Sequence, residues 1–108
     1  MATGRLGVAD LTTTANNSVY TCPAATFAVV TVSICNRGAA SANIRISVSS
    51  SSSPATTEYL EFDSELVAKG VLERTGIVMD AGKILVVATS TASTSLSVVV
   101  MGIETSTA

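Results

Sequence analysis

Two stretches of this chain place apolar side chains at every second position, and that period of two restricts the possible fold more than any other feature. In residues 27–35 these positions are Ala28, Val30, Val32 and Ile34, and in residues 43–49 they are Ile44, Ile46 and Val48. Successive side chains of a β-strand point to opposite faces, so both stretches predict strands that turn one face toward a core.

The rest of the chain favours the same kind of structure. Short β-prone segments at 18–22, 58–63, 84–88 and 96–103 are separated by turn residues. No segment has a sustained helical period. The sequence predicts an all-β, single-domain antiparallel β-sandwich of about seven or eight short strands, with a jelly-roll or immunoglobulin-like order. We expect residues 18–108 to form this sandwich and residues 1–17 to form either an N-terminal arm or an edge strand.

The last predicted strand has apolar side chains on both of its faces. One face carries Leu96, Val98 and Val100, and the other carries Val99, Met101 and Ile103. This pattern is typical of a central strand that is covered on both sides. The second cover comes either from this chain or from a neighbouring subunit.

Few charges are available to cover the surface. Charged residues make up 13% of the chain and apolar residues 47%, whereas an average soluble domain has about 25% charged residues. We therefore expect a homo-oligomer or another assembly that hides part of the surface. The net charge of −2 and the singly scattered basic residues argue against nucleic-acid binding. No apolar run approaches the ~20 residues that span a bilayer, and residues 1–7 lack signal-peptide features, so we expect neither membrane association nor secretion.

Cys22 and Cys35 are the only cysteines. A turn at Pro23 followed by an extended strand would separate their Cα atoms by more than the ~7 Å that a disulfide tolerates. We expect two free, buried thiols.

The sequence offers no set of catalytic residues. It contains no histidine, which removes the commonest general base and most zinc sites, and it has no glycine-rich phosphate-binding loop. We predict no enzyme activity, no cofactor and no metal, and we assign no catalytic residue. The acidic residues Glu58, Glu61, Asp63 and Glu65 could bind a cation or act as a hydrolase pair. The last three share strand parity, however, and we favour a solvated strand face.

Eight residues are candidates for contacts with partner proteins. They are Arg5, Leu6, Arg37, Glu73, Arg74, Val99, Met101 and Ile103. Aromatic residues, methionine and arginine are enriched at the centres of interfaces. For Arg37, Glu73 and Arg74, an ion pair within the surface of the same chain is an equally good explanation.

Three segments and the end of the last strand together resemble a known family. They are residues 4–11 (GRLGVADL), 32–38 (VSICNRG), 72–83 (LERTGIVMDAGK) and 101–104 (MGIE). Along nearly its whole length the chain is similar to small virion structural proteins of tailed bacteriophages, particularly those that infect cyanobacteria. The resemblance implies a β-sandwich subunit of the virus particle, assembled in the host cytoplasm. Within that class we expect a capsid decoration or cement protein that binds the major capsid protein or other virion proteins.

Alternatives remain open. The same resemblance fits a component of the tail, neck or baseplate, including a fibre-attachment module. A surface module that binds a receptor or a glycan is another possibility, because sugar sites usually use exposed aromatic side chains. The chain has four aromatic residues, Tyr20, Phe27, Tyr59 and Phe62, of which strand parity predicts two to be buried. A small hydrolase is disfavoured by the absence of histidine.

Overall fold

The computed structural model describes residues 2–92 and 94–107, and most of them belong to antiparallel β-strands. The strands are β1 (Thr3–Leu11), β2 (Asn17–Thr21), β3 (Thr26–Asn36), β4 (Ala42–Ser49), β5 (Tyr59–Leu66), β6 (Val71–Met79), β7 (Ile84–Thr89) and β8 (Leu96–Ser106). A 3-10 turn, Thr56–Glu58, precedes β5. The described residues include no helix of the length and hydropathy that crossing a membrane requires.

The eight strands form two sheets of four. The first sheet has the order β1-β8-β3-β6 and the second the order β2-β7-β4-β5. The strand pairing is that of one long hairpin folded into two layers. The four antiparallel pairs are β1 with β8, β2 with β7, β3 with β6 and β4 with β5. This is the topology of an eight-stranded jelly roll, so the predicted antiparallel sandwich is confirmed and its strand order is defined. Residues 3–11 belong to the sandwich as an edge strand.

The core lies between the inward sides of the two sheets. The four apolar positions predicted in residues 27–35 are fully buried there, as are Ile44 and Ile46, and Val48 packs against them while half-buried. Each Leu, Ile or Val side chain that leaves water in this way contributes about 1.5–3 kcal/mol. The two patterned stretches therefore supply six of the eighteen buried residues of the core cluster.

Each open side of the sandwich is closed by a polar contact between the sheets. On one side the hydroxyl of Tyr20 donates to Oε2 of Glu104 at 2.6 Å, and the backbone N–H of Ala2 donates to Oε1 of the same carboxylate at 3.0 Å. Burial raises the pKa of Tyr20. On the other side the guanidinium of Arg74 donates to the carboxylate of Glu61. The first contact joins the edge strand β2 to the central strand β8, and the second joins the edge strands β5 and β6.

Both cysteines are free, as predicted. Cys22 is buried just after β2, and its thiol donates to the carbonyl oxygens of Thr26 at 3.4 Å and Met79 at 3.7 Å. Burial raises the pKa of this thiol. Cys35 is half-buried and not buried as expected, because it lies on the outward side of β3.

Residues 50–58, which we call the serine segment, fold back on β4. The carboxylate of Glu58 holds the fold-back by accepting hydrogen bonds from the Ser49 hydroxyl at 2.9 Å and from the backbone N–H groups of Ser50 and Ala55 at 3.2 and 2.8 Å. The 3-10 turn at the end of the segment contacts β4. The sequence predicts an exposed loop here, and residues 50–53 are exposed, but the segment also covers part of the second sheet.

Candidate assembly surface

The outward side of the first sheet is built on its two central strands, β3 and β8. The outward pairs across these strands are Phe27 with Thr105, Val29 with Ile103, Thr31 with Met101, Ser33 with Val99 and Cys35 with Ser97. Gly102 allows the strands to approach, because a Cβ atom at this position would lie 2.2 Å from the carbonyl oxygen of Val29. Outward residues that are paired across the strands form rows. In two of these rows the larger side chain, Val99 or Met101, lies on β8, and the smaller one, Ser33 or Thr31, lies on β3.

A β-bulge on the edge strand β1 decides which of its residues join this surface. The register with β8 shifts between Arg5 and Gly7, so the side chain of Leu6 turns inward and packs against the core. Arg5 and Val8 both point outward, each opposite an apolar residue of β8. The bulge therefore places one cation at the edge of the apolar rows.

A second bulge lies on the other edge strand, β6. Its register with β3 shifts near the middle, where Gly76 adopts a φ of +70°, a backbone conformation that favours glycine. Val78 and Glu73 point outward on either side of the bulge, in the rows of Val29 and Ser33. Arg74 turns away, toward the second sheet.

The outward side of the first sheet carries exposed apolar side chains on all four strands, and we call this surface the apolar face. Its members are Val8, Phe27, Val29, Val71, Val78, Val99, Met101 and Ile103. Seven of the ten exposed large hydrophobic side chains among the described residues lie on it, including Val78 at 69% and Ile103 at 56% exposure. Soluble monomers rarely leave so large an apolar area in water. The second cover that the pattern of β8 predicts is not supplied by the part of the chain that the structure describes.

The structure places five of the eight candidate contact residues on this side of the first sheet. They are Arg5, Glu73, Val99, Met101 and Ile103. The other three lie elsewhere: Leu6 packs against the core, Arg37 pairs with Asp10 at 2.5 Å, and Arg74 pairs with Glu61. Arg37 and Arg74 therefore form ion pairs within the surface of the same chain.

Arg5 and Glu73 differ from the other charges near this surface. Both are exposed, and neither forms an ion pair within residues 2–92 and 94–107. They stand on the two opposite edge strands, with the apolar rows between them. The apolar face is thus flanked by one unpaired cation and one unpaired anion.

Sequence reasoning missed several members of the apolar face. The candidates did not include Val8, Phe27, Val29, Val71 and Val78. A signal for Val29 was present, because it stands between the core positions Ala28 and Val30 and must point outward. Val78 depended on the bulge in β6, for which the local signal is Gly76, because a glycine inside a strand often marks a bulge.

The acidic segment does not form one carboxylate cluster. Positive φ at Asp63 and register shifts between β4 and β5 break the strand parity that the prediction assumed. Glu61 turns to Arg74 and Ser64, and the Ser64 hydroxyl at 2.5 Å, with the Arg74 guanidinium, lowers its pKa. Asp63 turns to Arg45 and Ser90, and two hydrogen bonds from Arg45 at 2.8 and 3.2 Å lower its pKa. The shared face predicted for Glu61, Asp63 and Glu65 is wrong.

The second sheet carries a small aromatic group on its outward side. The rings of Tyr59 and Phe62 meet edge to face with centroids 4.9 Å apart, and the guanidinium of Arg45 lies 4.1 Å from the centroid of Phe62. Phe62 is 55% exposed, and of the four aromatic side chains only Tyr20 is buried. The expectation that two would be buried is wrong, because the bulges in β5 bring Tyr59 and Phe62 to the same outward side.

No protein-family model, curated protein or solved structure matches this chain. Among the described residues, no group of three or more acidic or cysteine side chains is placed to hold a metal ion. The apolar face is a feature of the described surface that the chain's own contacts do not explain.

Proposed function

We propose that this chain is a non-enzymatic structural protein of a virus particle, a capsid decoration or cement protein that joins neighbouring proteins through its apolar face. The apolar face is the observation that carries the proposal. Burial of apolar surface contributes roughly 25 cal/mol per Å², so covering this side of the sheet drives association with another protein. The outward side of a four-stranded sheet also suits a protein partner better than a small molecule, which needs a concave site.

The topology supports the same proposal. Jelly rolls with two four-stranded sheets build viral capsid domains, and they also occur in lectins and cupins. The fold is therefore compatible with a virion role, but a fold alone does not determine function. The apolar face is the feature that favours assembly. The segments that resemble phage structural proteins include β1 and β6, which are the two edge strands that flank the apolar face.

A receptor- or glycan-binding module is the second candidate. The observation that favours it is the exposed ring of Phe62 beside Tyr59. One face of the Phe62 ring is already covered by Arg45, which reduces the area available for a sugar. Binding on a glycan array that disappears in Phe62→Ala and persists in Ile103→Glu would favour this candidate over assembly.

The decisive experiment uses particles of the virus that encodes this chain. Particles made without it are expected to assemble but to lose DNA more readily on heating, and purified protein added back is expected to restore heat resistance. Ile103→Glu should fail to restore it, because a charge on the apolar face opposes burial. Val67→Glu is the matched control, since Val67 is 59% exposed and lies outside the apolar face.

Two outcomes would contradict the decoration role, and a third would contradict the part played by the apolar face. Particles without the chain that retain their DNA normally on heating, with the chain located on the tail or neck, would place it among the tail components instead. Absence of the chain from purified particles would reject a virion role. Restoration by Ile103→Glu as complete as by Val67→Glu would show that the apolar face is not an assembly surface.

A further inference from the structure

We propose that the apolar face is occupied by a second copy of this chain, in a two-fold dimer whose first sheets pack face to face. The inference rests on the proposed function only in treating the apolar face as an assembly surface, and it names the partner. Homo-oligomers most often have two-fold symmetry, in which the same surface meets itself and must be self-complementary. The charges and the side-chain sizes on this face both meet that requirement.

The unpaired charges select the direction of the axis. A two-fold axis that runs parallel to the strands, between β8 and β3, places β1 of one copy over β6 of the other. Arg5 then lies one outward row away from Glu73 of the second copy, about 6.7 Å along the strand, which a flexible arginine side chain can span. Symmetry forms this pair twice. An axis perpendicular to the strands would instead place β1 over β1 and bring the two Arg5 side chains together.

The side-chain sizes fit the same axis. It places β8 of one copy over β3 of the other, so the outward rows meet as large against small. Met101 faces Thr31 of the second copy, and Val99 faces Ser33. Large residues opposite small ones interdigitate well between sheets packed about 10 Å apart. Ile103 faces Val29 of the second copy, and both are apolar.

The size of the face sets the expected affinity. Four strands span about 14 Å across, and the 11 residues of β3 and of β8 span about 33 Å along the strands. An interface of this size is at the small end of specific protein contacts. We therefore expect a dimer whose population depends on concentration, with a Kd in roughly the micromolar range.

The test is sedimentation velocity of the purified chain at concentrations from about 1 µM to about 1 mM, a range that brackets such a Kd. Wild type is expected to shift from monomer to dimer. Arg5→Glu and Glu73→Arg should each weaken the dimer about tenfold, because each variant places like charges together twice. The double variant R5E/E73R should recover wild-type dimerisation, since the opposite charges are exchanged. Circular dichroism checks that each variant keeps the β fold.

Mixing the two single variants gives the sharpest form of the test. A sample of R5E with E73R should form a heterodimer more tightly than either variant pairs with itself, because every charge then meets its opposite. Val67→Glu should dimerise like wild type, and Ile103→Glu should remain monomeric. A chain that stays monomeric throughout the range, or a double variant no tighter than the single ones, would overturn the inference.

The inference and the proposed function fail in different experiments. A monomeric chain that still restores the heat resistance of particles would reject the two-fold dimer and leave the decoration role in place. A dimer with the predicted charge behaviour that is absent from purified particles would support the dimer and reject the virion role.

Discussion

The outward sides of the two sheets meet water in different ways. On the second sheet, Val86 and Ala88 point outward from β7, yet they are 2% and 4% exposed, and Ser47 and Ser49 of β4 are fully buried beside them. The serine segment folds back against this side, where Glu58 binds Ser49. On the first sheet no comparable segment of the described chain covers the outward rows.

This difference separates two kinds of apolar outward residue. The second sheet buries Val86 with its own chain, so that side chain contributes to folding. The first sheet leaves Val29 and Ile103 exposed to water, so a partner that covers them would gain the free energy of their burial. An apolar residue on the outer side of a sheet is thus evidence of a partner only where the chain supplies no cover of its own.

The largest expected effect comes from placing a charge on each side. Val86→Asp should destabilise the fold by about 3–5 kcal/mol, because it buries an unpaired charge. Val29→Asp should cost about 1 kcal/mol or less, since the carboxylate reaches water on an open face. Urea unfolding at a concentration where the chain is monomeric measures both. Equal losses in the two variants would mean that the sheets do not differ as described.

Most of the fold could be predicted from the sequence, because strand parity is a local property. The alternation in residues 27–35 and 43–49 correctly assigns the inward side chains of β3 and β4. The apolar pattern on both faces of β8 correctly indicates a central strand. Strand parity predicts which way a side chain points, but it does not predict what covers that side chain. The burial of Ser47 and the exposure of Ile103 could therefore not be predicted from parity.

The candidate surface was predicted only in part, for a second physical reason. Bulges change parity, and the glycines beside them, Gly7 and Gly76, indicate an irregular strand without showing which side chains change face. Leu6 therefore turns inward beside Arg5, and Arg74 turns to the second sheet beside Glu73. The same effect separates Glu61 from Asp63 in β5. The sequence does identify the three outward residues of β8 on this surface, Val99, Met101 and Ile103, because β8 has a regular register with β3 throughout.

A smaller effect should follow from loosening the cover of the second sheet. Hydrogen bonds from the Ala55 backbone and the Ser49 hydroxyl lower the pKa of Glu58 from its ordinary value of 4.5. A carboxylate with a lowered pKa stabilises the fold above its unfolded pKa, and this contribution disappears as the pH falls through the folded pKa. Glu58→Gln should therefore lower the melting temperature at pH 7, and its difference from wild type should shrink below pH 4.5.

The matched control for this experiment is Glu65→Gln, an exposed carboxylate of β5 outside the serine segment. Subtracting the melting curves of variant and wild type at each pH removes the contributions of Glu61, Asp63 and Glu104, whose pKa values are also lowered. A Glu58→Gln difference that grows on acidification would contradict the proposed role. Hydrogen exchange should also show faster exchange at β4 amides in Glu58→Gln than in Glu65→Gln.

The smallest expected effect concerns the one exposed ring of the second sheet. Arg45 covers one face of Phe62 and is itself held by Asp63, so this ring is partly shielded by a charge of the same chain. A double-mutant cycle with Arg45→Ala and Phe62→Ala should give a coupling of about 0.5–1 kcal/mol, typical of a cation–π contact open to solvent. A cycle between Arg5 and Phe62, on opposite sheets, should give none. A coupling near zero for Arg45 and Phe62 would mean that the second sheet also exposes an unshielded apolar group, and the contrast with the apolar face would then rest on the serine segment alone.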